Sequence, residues 1–429
     1  MTTPAVSTTK GPPSPLRGWI VTWAAFGINL ASGTLYAWSI MAKALRAGDP
    51  NRPGSWSALQ ANLPFAVATA AFAIMMIFAG WAQDKLGPRR VGILGGFVLG
   101  GGFIAAAFAM PSPAFVAASF AIVGIGIGLA YSATTPAAIK WFSPTKKGMI
   151  TGIVVAGVGL APTYAAPLAH YLLNVVQLSV SNTFQLLGAG TILAIGLLGL
   201  VVSNPPLGYV VPAVAATSAK PRNVSRPDRG FAAMLSTPQF YLLWFMFVLA
   251  AAPGLMVISN VASIAKDMKW DAGFVPIIVL AAFNASGRIV GGFVSDRIGR
   301  TNTMLLFFVL QAINIFAFTH YTTPALLIFG AGFTGLCYGT IFTLMPAATA
   351  DFYGLKNMGV NYGFVFTAFG VAGCTGSLLA GSIRDLFGSY DKAYFVLAIM
   401  LLVAAVLAFL THAPKIAAAS ADRPDPAVH

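Results

Sequence analysis

The sequence predicts an all-α polytopic membrane protein, with twelve transmembrane helices in two pseudo-symmetric six-helix bundles. Three observations carry this. Of the 429 residues, 57% are hydrophobic and only 8% charged, against about 25% charged in ordinary soluble domains. Apolar runs such as 64–80, 91–110, 238–259 and 393–411 approach the length of a spanning helix, which is about 20 residues. Finally, the two halves echo each other. GWAQDKLGP holds Asp84 and GFVSDRIGR holds Asp296, 212 residues apart, pairing Gly80 with Gly292, Lys85 with Arg297 and Gly87 with Gly299. PAAIKWF at 136–142 and PAATADF at 346–352 are a second pair, 210 apart. The echoes follow the second and fourth helices of each half, as expected for halves related by an axis along the membrane normal.

Polar punctuation sets the spans in order. The polar, proline-rich start MTTPAVSTTKGPPSP lacks the apolar core of a cleaved signal peptide, so the first span, 18–42, is expected to stay as a helix. It carries Asn29, Gly33 and Tyr36 on one stripe at helical spacing. The second, 57–80, runs into the charged loop that includes Arg89 and Arg90, and the third is 90–110. The fourth, 114–138, aligns Gly124, Gly128 and Tyr131, and the fifth, 148–174, ends near His170 and Asn174. The sixth is 182–203. Residues 204–237 are rich in Pro, Ser and basic residues and read as a cytoplasmic linker between an N-terminal bundle, 1–203, and a C-terminal bundle, 238–411. Spans 238–262, 273–295, 302–320, 323–348, 360–383 and 391–411 follow, with a cytoplasmic tail at 412–429. The tenth aligns Thr334, Tyr338 and Phe342, and the eleventh aligns Tyr362, Phe366 and Phe369. The two cysteines, Cys337 and Cys374, both fall in predicted helices and give no disulfide framework.

The net charge of +14 reads as topology rather than nucleic-acid binding, because the basic residues sit in loops between apolar runs. With both termini and the linker in the cytoplasm, seventeen of the 25 Lys and Arg lie on the cytoplasmic side and seven in outer loops. The remainder is Arg288, inside the eighth span. A charged side chain at that depth costs roughly 2.5–3.5 kcal/mol to insert, and such residues face a water-filled cavity or substrate path. Gly287, Gly291 and Gly292 give little cover for a lipid-facing stem. All 11 acids are Asp, each in a loop, a tail or a helix end, so none is placed to neutralise the arginine. A buried cation without a resident anion is a vacancy for an anionic substrate, and a carboxylate fits the guanidinium fork. Asn284, one turn earlier, shares its face.

The doubled G-x-x-x-D-[KR]-x-G-[RP] loop, which runs on to Arg89 and Arg90 in one copy and to Arg300 in the other, resembles the signature of the major facilitator superfamily. SGTLYAWSIM at 32–41, KWFSPTKKGMITG at 140–152, GRIVGGFVSDRIGRTNTM at 287–304 and NYGFVF at 361–366 resemble the oxalate/formate antiporter family and, more distantly, the monocarboxylate transporters. The resemblance implies the major facilitator fold. It also implies that Arg288 contacts a substrate carboxylate and that spans 1, 4, 10 and 11 line the cavity. Two departures stand out. Phe369 occupies a position where the oxalate carriers tend to place a lysine, and Asn284 one where proton-coupled carriers tend to place an Asp.

The expectation is a secondary carrier of short monocarboxylates such as lactate, pyruvate or formate, working by alternating access in a bacterial inner membrane as a monomer. Arg288 would bind the carboxylate, with Tyr36, Tyr131, Tyr338, Tyr362 and Asn284 as the polar shell. Phe342, Phe366 and Phe369 would be apolar walls. The Asp84 and Asp296 loops would hold the cytoplasmic ends closed in the outward-facing state. Their glycines would let helices approach closely. A dicarboxylate exchanger and a drug or sugar carrier are the alternatives, and coupling to a proton or to a counter-substrate stays open. No cofactor or metal is expected. The buried cluster of acids, His or Cys that a membrane-embedded enzyme needs is missing from the sequence.

Overall fold

A computed structural model describes residues 15–47, 55–142, 147–206, 209, 228–270, 274–354 and 357–411; the Asp84 side chain, most of the linker and the 412–429 tail lie outside the described residues. Among the described residues, twelve helical spans are long and apolar enough to cross a membrane. The first is α1 (Pro15–Ser32), a 3₁₀ turn at Gly33–Ala37, and α2 (Trp38–Ala47). Then come α3 (Ala58–Leu86), α4 (Pro88–Ala109) and α5 (Pro113–Ile139). The fifth span is α6 (Lys147–Leu160) and α7 (Pro162–His170), followed by a π turn, and the sixth is α8 (Val180–Val201). A short helix, α9 (Phe231–Leu235), lies within the expected linker. The remaining spans are α10 (Pro238–Asp267), α11 (Val275–Ile298), α12 (Arg300–Ala317), α13 (Pro324–Tyr353), α14 (Met358–Phe387) and α15 (Asp391–Leu410).

Local chemistry explains where helices begin and end. Ser57 and Gln60 form a reciprocal capping box at the start of α3. Ser112, Ser179 and Thr323 accept a first-turn N–H at the starts of α5, α8 and α13. The repeat is visible in the backbone. Gly87 (φ +81, ψ 156) ends α3 and Gly299 (φ +90, ψ 163) ends α11, each in a conformation that strains any residue bearing a Cβ. The expectation of close approach at these loops does not hold, however. A Cβ on Gly80, Gly87 or Gly299 would meet nothing within 4 Å, and one on Gly292 would make only an ordinary contact. In the loops themselves the shape the two copies share rests on φ. The tight packing lies deeper, between α11 and α13, where a Cβ on Gly287 would strike the Leu336 carbonyl, and one on Gly335 the Leu280 carbonyl.

Two spans expected as continuous helices are broken. Pro162 has no N–H to give the Val158 carbonyl, which instead takes the Ala161 N–H at 3.3 Å. A Cβ on Gly33, at the start of the 3₁₀ turn, would strike Ala161. The two breaks therefore nest against each other.

The first six spans meet the last six along three seams: α3 on α14, α2 on α10, and α6 and α7 on α11. At the end opposite the charged loops, hereafter the far end, polar bonds close the seams. The Asp385 carboxylate accepts the Ala58 and Leu59 N–H groups, both at 2.8 Å. Arg46 donates to the Tyr390 hydroxyl at 3.1 Å, and Asn62 and Asn260 exchange amide bonds at 3.0 and 3.2 Å. At the loop end, Arg300 pairs with Asp296 and Asp351 (2.8 and 3.2 Å), a cluster wholly within the last six spans. Lys85 lies 4.3 Å from the Trp81 ring on its own helix. Arg297 similarly covers Phe293. In this state, then, those charges tie the loops to their own halves.

Candidate functional site

Arg288 points inward. Its neighbour Ile289 is 77% exposed on the apolar outer surface, while Gly287 is buried against α13. The guanidinium crosses the seam to α6 and donates from Nη1 to the backbone carbonyl of Val155 at 3.0 Å. Gly159, one turn along, lies against it: a Cβ there would sit 3.5 Å from Nε and Nη2, an ordinary contact. Its other side covers the Phe342 ring, 5.1 Å from the centroid, a cation–π contact worth about 0.5–2 kcal/mol. Nε is buried and without a hydrogen-bond partner. No carboxylate bonds this arginine among the described residues. The Thr343 hydroxyl donates to the Arg288 backbone carbonyl at 2.9 Å and fixes the helix there.

The four expected tyrosines gather around this cation. Tyr36, Tyr131, Tyr338 and Tyr362 all lie within its electrostatic reach. Tyr36 and Tyr338 face each other across the seam. Even so, the Tyr338 hydroxyl is buried without a partner in hydrogen-bond geometry. Asn284 is 3% exposed and its Oδ1 is unpaired, close to Gly339 of α13. Among the described residues, buried polar groups on Arg288, Tyr338 and Asn284 thus lack partners. Each costs about 1–3 kcal/mol unsatisfied, and such groups in a native fold call for a ligand, a water or a functional reason.

Phe342, Phe366 and Phe369 do meet beside the arginine, but as a packed cluster. Phe366 and Phe369 stack at 5.1 Å, and Phe342 lies 5.7 Å from Phe369. Two further rings join that sequence reasoning did not single out. Phe72 of α3 packs edge-on against Phe366, Phe369 and Tyr131 at 5.3, 5.7 and 5.8 Å, and Phe247 of α10 reaches Phe342 and Phe366 at 6.0 Å. Phe72 ties the halves together, since its partners Phe366 and Phe369 are on α14. The α3–α14 seam places it there.

Other stripe residues serve packing. Asn29 donates to the Val154 carbonyl and accepts from Thr134, bracing α1 against α5 and α6. Thr334 accepts from Asn314. Gly124 and Gly128 admit α3. His170 lies edge-on to Phe274 at 5.6 Å across the far-end seam, and Asn174 bonds back to the His170 carbonyl.

Comparison with known proteins agrees with this architecture. The family model described as Major Facilitator Superfamily matches residues 18–321 and 256–428. An oxalate:formate antiporter of Oxalobacter formigenes is 28% identical over 398 residues, covering 91% of this chain and 90% of that protein. Apicoplast pyruvate carrier 1 of Toxoplasma gondii is 25% identical over 373 residues, covering 73% and 66%. Among solved structures, an inward-facing bacterial homolog of the human lysosomal transporter Spinster superposes with a TM-score of 0.70 at 15% identity, covering 93% of this chain and 97% of that one.

Proposed function

We propose that this chain, which belongs to the major facilitator superfamily, is a carrier of short monocarboxylates. It would operate by alternating access, with 1–203 and 238–411 as the moving halves. The observation that carries the reading is Arg288: a cation at the seam whose partners are a backbone carbonyl and a phenyl ring. A carbonyl dipole compensates a guanidinium only in part. A carboxylate replacing it gains a charge-assisted, two-pronged pair, with the unpaired Nε and the Tyr338 hydroxyl as further donors. Phe369 packs on Phe342, the ring that the guanidinium covers, so this wall adds no second cation. One cation matches one negative charge, which favours lactate, pyruvate, formate or acetate over a dianion. The pyruvate carrier among the relatives supports this, and the oxalate:formate antiporter supports a carboxylate of some kind.

The excess of Lys and Arg on the loop side supports cytoplasmic loops and termini, and the likeness to the antiporter of Oxalobacter formigenes supports the inner membrane of a bacterium. The far end is then the outer end, and the bonds through Asp385, Arg46 and Asn62 form its closed gate. The test is uptake of labelled lactate, pyruvate, formate and acetate into proteoliposomes holding the purified protein. Wild type is expected to take up at least one faster than protein-free liposomes do. Arg288→Ala should lose about 30-fold or more, the equivalent of ~2 kcal/mol from a charged hydrogen-bonded pair. Full uptake by Arg288→Ala refutes the reading.

A further inference from the structure

Resting on the carboxylate reading, the geometry points to a small aliphatic cavity beside Asn284 as the seat of the substrate's apolar end, with Leu280 and Ile258 limiting its length. The direction follows from where space is left. On the phenyl side of Arg288 there is none. Phe366 and Phe369 are 2% and 1% exposed, and their rings and those of Phe72 and Phe342 sit at contact distances. On the other side a cavity opens between α10 and α11 of one half and the two helix breaks of the other. Tyr36 and Asn284 line it, with Ile258, Val261, Ile277 and Leu280 among its aliphatic walls.

Three positions set it next to the guanidinium. Asn284 is one turn from Arg288 on α11. Pro162, which also lines the cavity, is about one turn beyond Gly159, the residue that faces Nε and Nη2. Tyr36 feels the arginine's charge. The layout is therefore amphiphilic: a cation and two polar groups below, aliphatic walls beyond. A carboxylate on Arg288 would direct its carbon chain between Tyr36 and Asn284, and their polar groups would meet a 2-hydroxyl or 2-oxo oxygen there. A second carboxylate would end among Ile258, Val261 and Leu280, without a counter-charge.

The size is also defined. The cavity holds about 10 Å³, close to the space of a single water-sized group. That fits one methyl, the C3 of lactate or pyruvate, with C2 between Tyr36 and Asn284. Each additional methylene must displace the wall, and a hydrophobic pocket discriminates about 10–200-fold per methylene. Asn260, which exchanges amide bonds with Asn62 in the far-end network, stands between the wall residues Ile258 and Val261 on α10.

The experiment measures uptake of labelled acetate, propionate and butyrate by proteoliposomes. Leu280→Ala is expected to raise the butyrate-to-acetate rate ratio about tenfold or more. Ile258→Val removes one methyl and should move the ratio the same way by a smaller factor. Ala281→Val narrows the cavity and should lower the propionate-to-acetate ratio. These opposite signs separate the effect from mere loss of folded protein. Wild type that takes up acetate or lactate, while all three variants keep its ratios, overturns the cavity assignment alone and leaves Arg288 in place; that is also the result if the space holds a water. A rise in the butyrate ratio in Phe369→Ala but not in Leu280→Ala overturns it in favour of the phenyl side. Wild type that takes up no monocarboxylate refutes the carboxylate reading, and the cavity assignment with it.

Discussion

Asp385→Ala should loosen the far end. The carboxylate spans the α3–α14 seam and takes two backbone N–H groups, Ala58 and Leu59, at 2.8 Å each. Those groups form the first turn of α3, where the helix dipole also favours a negative charge. Buried, two charge-assisted bonds would be worth about 1.5–3 kcal/mol each. Asp385 is exposed, and water can solvate both partners once the seam opens, so about 1–2 kcal/mol in total survives screening. Losing it moves the closed-to-open ratio by roughly 5–30-fold. The reporter is a single cysteine at Val261, fully buried in the closed state, with Cys337 and Cys374 replaced by alanine. A membrane-impermeant thiol reagent added outside intact cells should label it 5–30-fold faster in Asp385→Ala, by the same arithmetic. If the rate is unchanged, the carboxylate is not a latch. Faster labelling only from the inside would instead reverse the proposed orientation.

Further expectations concern single residues. Arg288→Lys keeps the charge but loses the fork, so its apparent substrate affinity should fall about tenfold or more, with Arg288→Ala worse. Tyr390 sits at the far end, where it accepts from Arg46 and donates to Asn260. Burial pushes its phenol up to about 12. An acid with a raised pKa contributes fully below its ordinary value and loses that contribution only as pH climbs through the raised one. The ratio of Val261→Cys labelling rates, Tyr390→Phe to the parent, should therefore stay above one and flat between about pH 6 and 9, since the thiolate's own rise with pH cancels in the ratio; a step in the ratio within that window would contradict this. Gly299→Ala forces a Cβ onto φ +90 and should lower the unfolding midpoint in detergent, at a cost of about 1–2 kcal/mol. Gly80→Ala, with open space around it, should not. Gly287→Ala drives a methyl into the Leu336 carbonyl and should reduce folded protein more than either.

How much of this was readable from the sequence depends on which kind of interaction each feature uses. Span number follows from transfer energy, a sum over residue types, so the apolar runs give twelve helices with ends shifted by a few residues. Arg288 stands out for the same reason, as the one basic residue the loops cannot absorb. Its tyrosine partners follow from helical spacing combined with the family's order of helices. The breaks at Gly33–Ala37 and Ala161–Pro162 could be sensed only as a Gly and a Pro, because their nesting depends on how two distant spans cross. Phe72 and Phe247 were invisible for a related reason. Each is one of 32 phenylalanines; the α3–α14 seam selects Phe72, and the packing of α10 on α13 and α14 selects Phe247.

The partner of Arg288 is the sharper case. Searching the sequence for a counter-charge means searching for Asp, and no Asp is near. What the guanidinium meets is the Val155 carbonyl, and a backbone carbonyl belongs to every residue, so no side chain announces it. The difference matters for coupling. An acid beside Arg288 would hold a resident charge and a titratable proton. A carbonyl supplies neither, and it belongs to the opposite half, so a substrate that displaces it also removes one of the bonds holding α6 to α11. On the proposed reading, binding and release of the seam are then one event at one atom pair. Whatever proton or counter-anion completes the cycle has to act elsewhere than on a carboxyl next to this arginine.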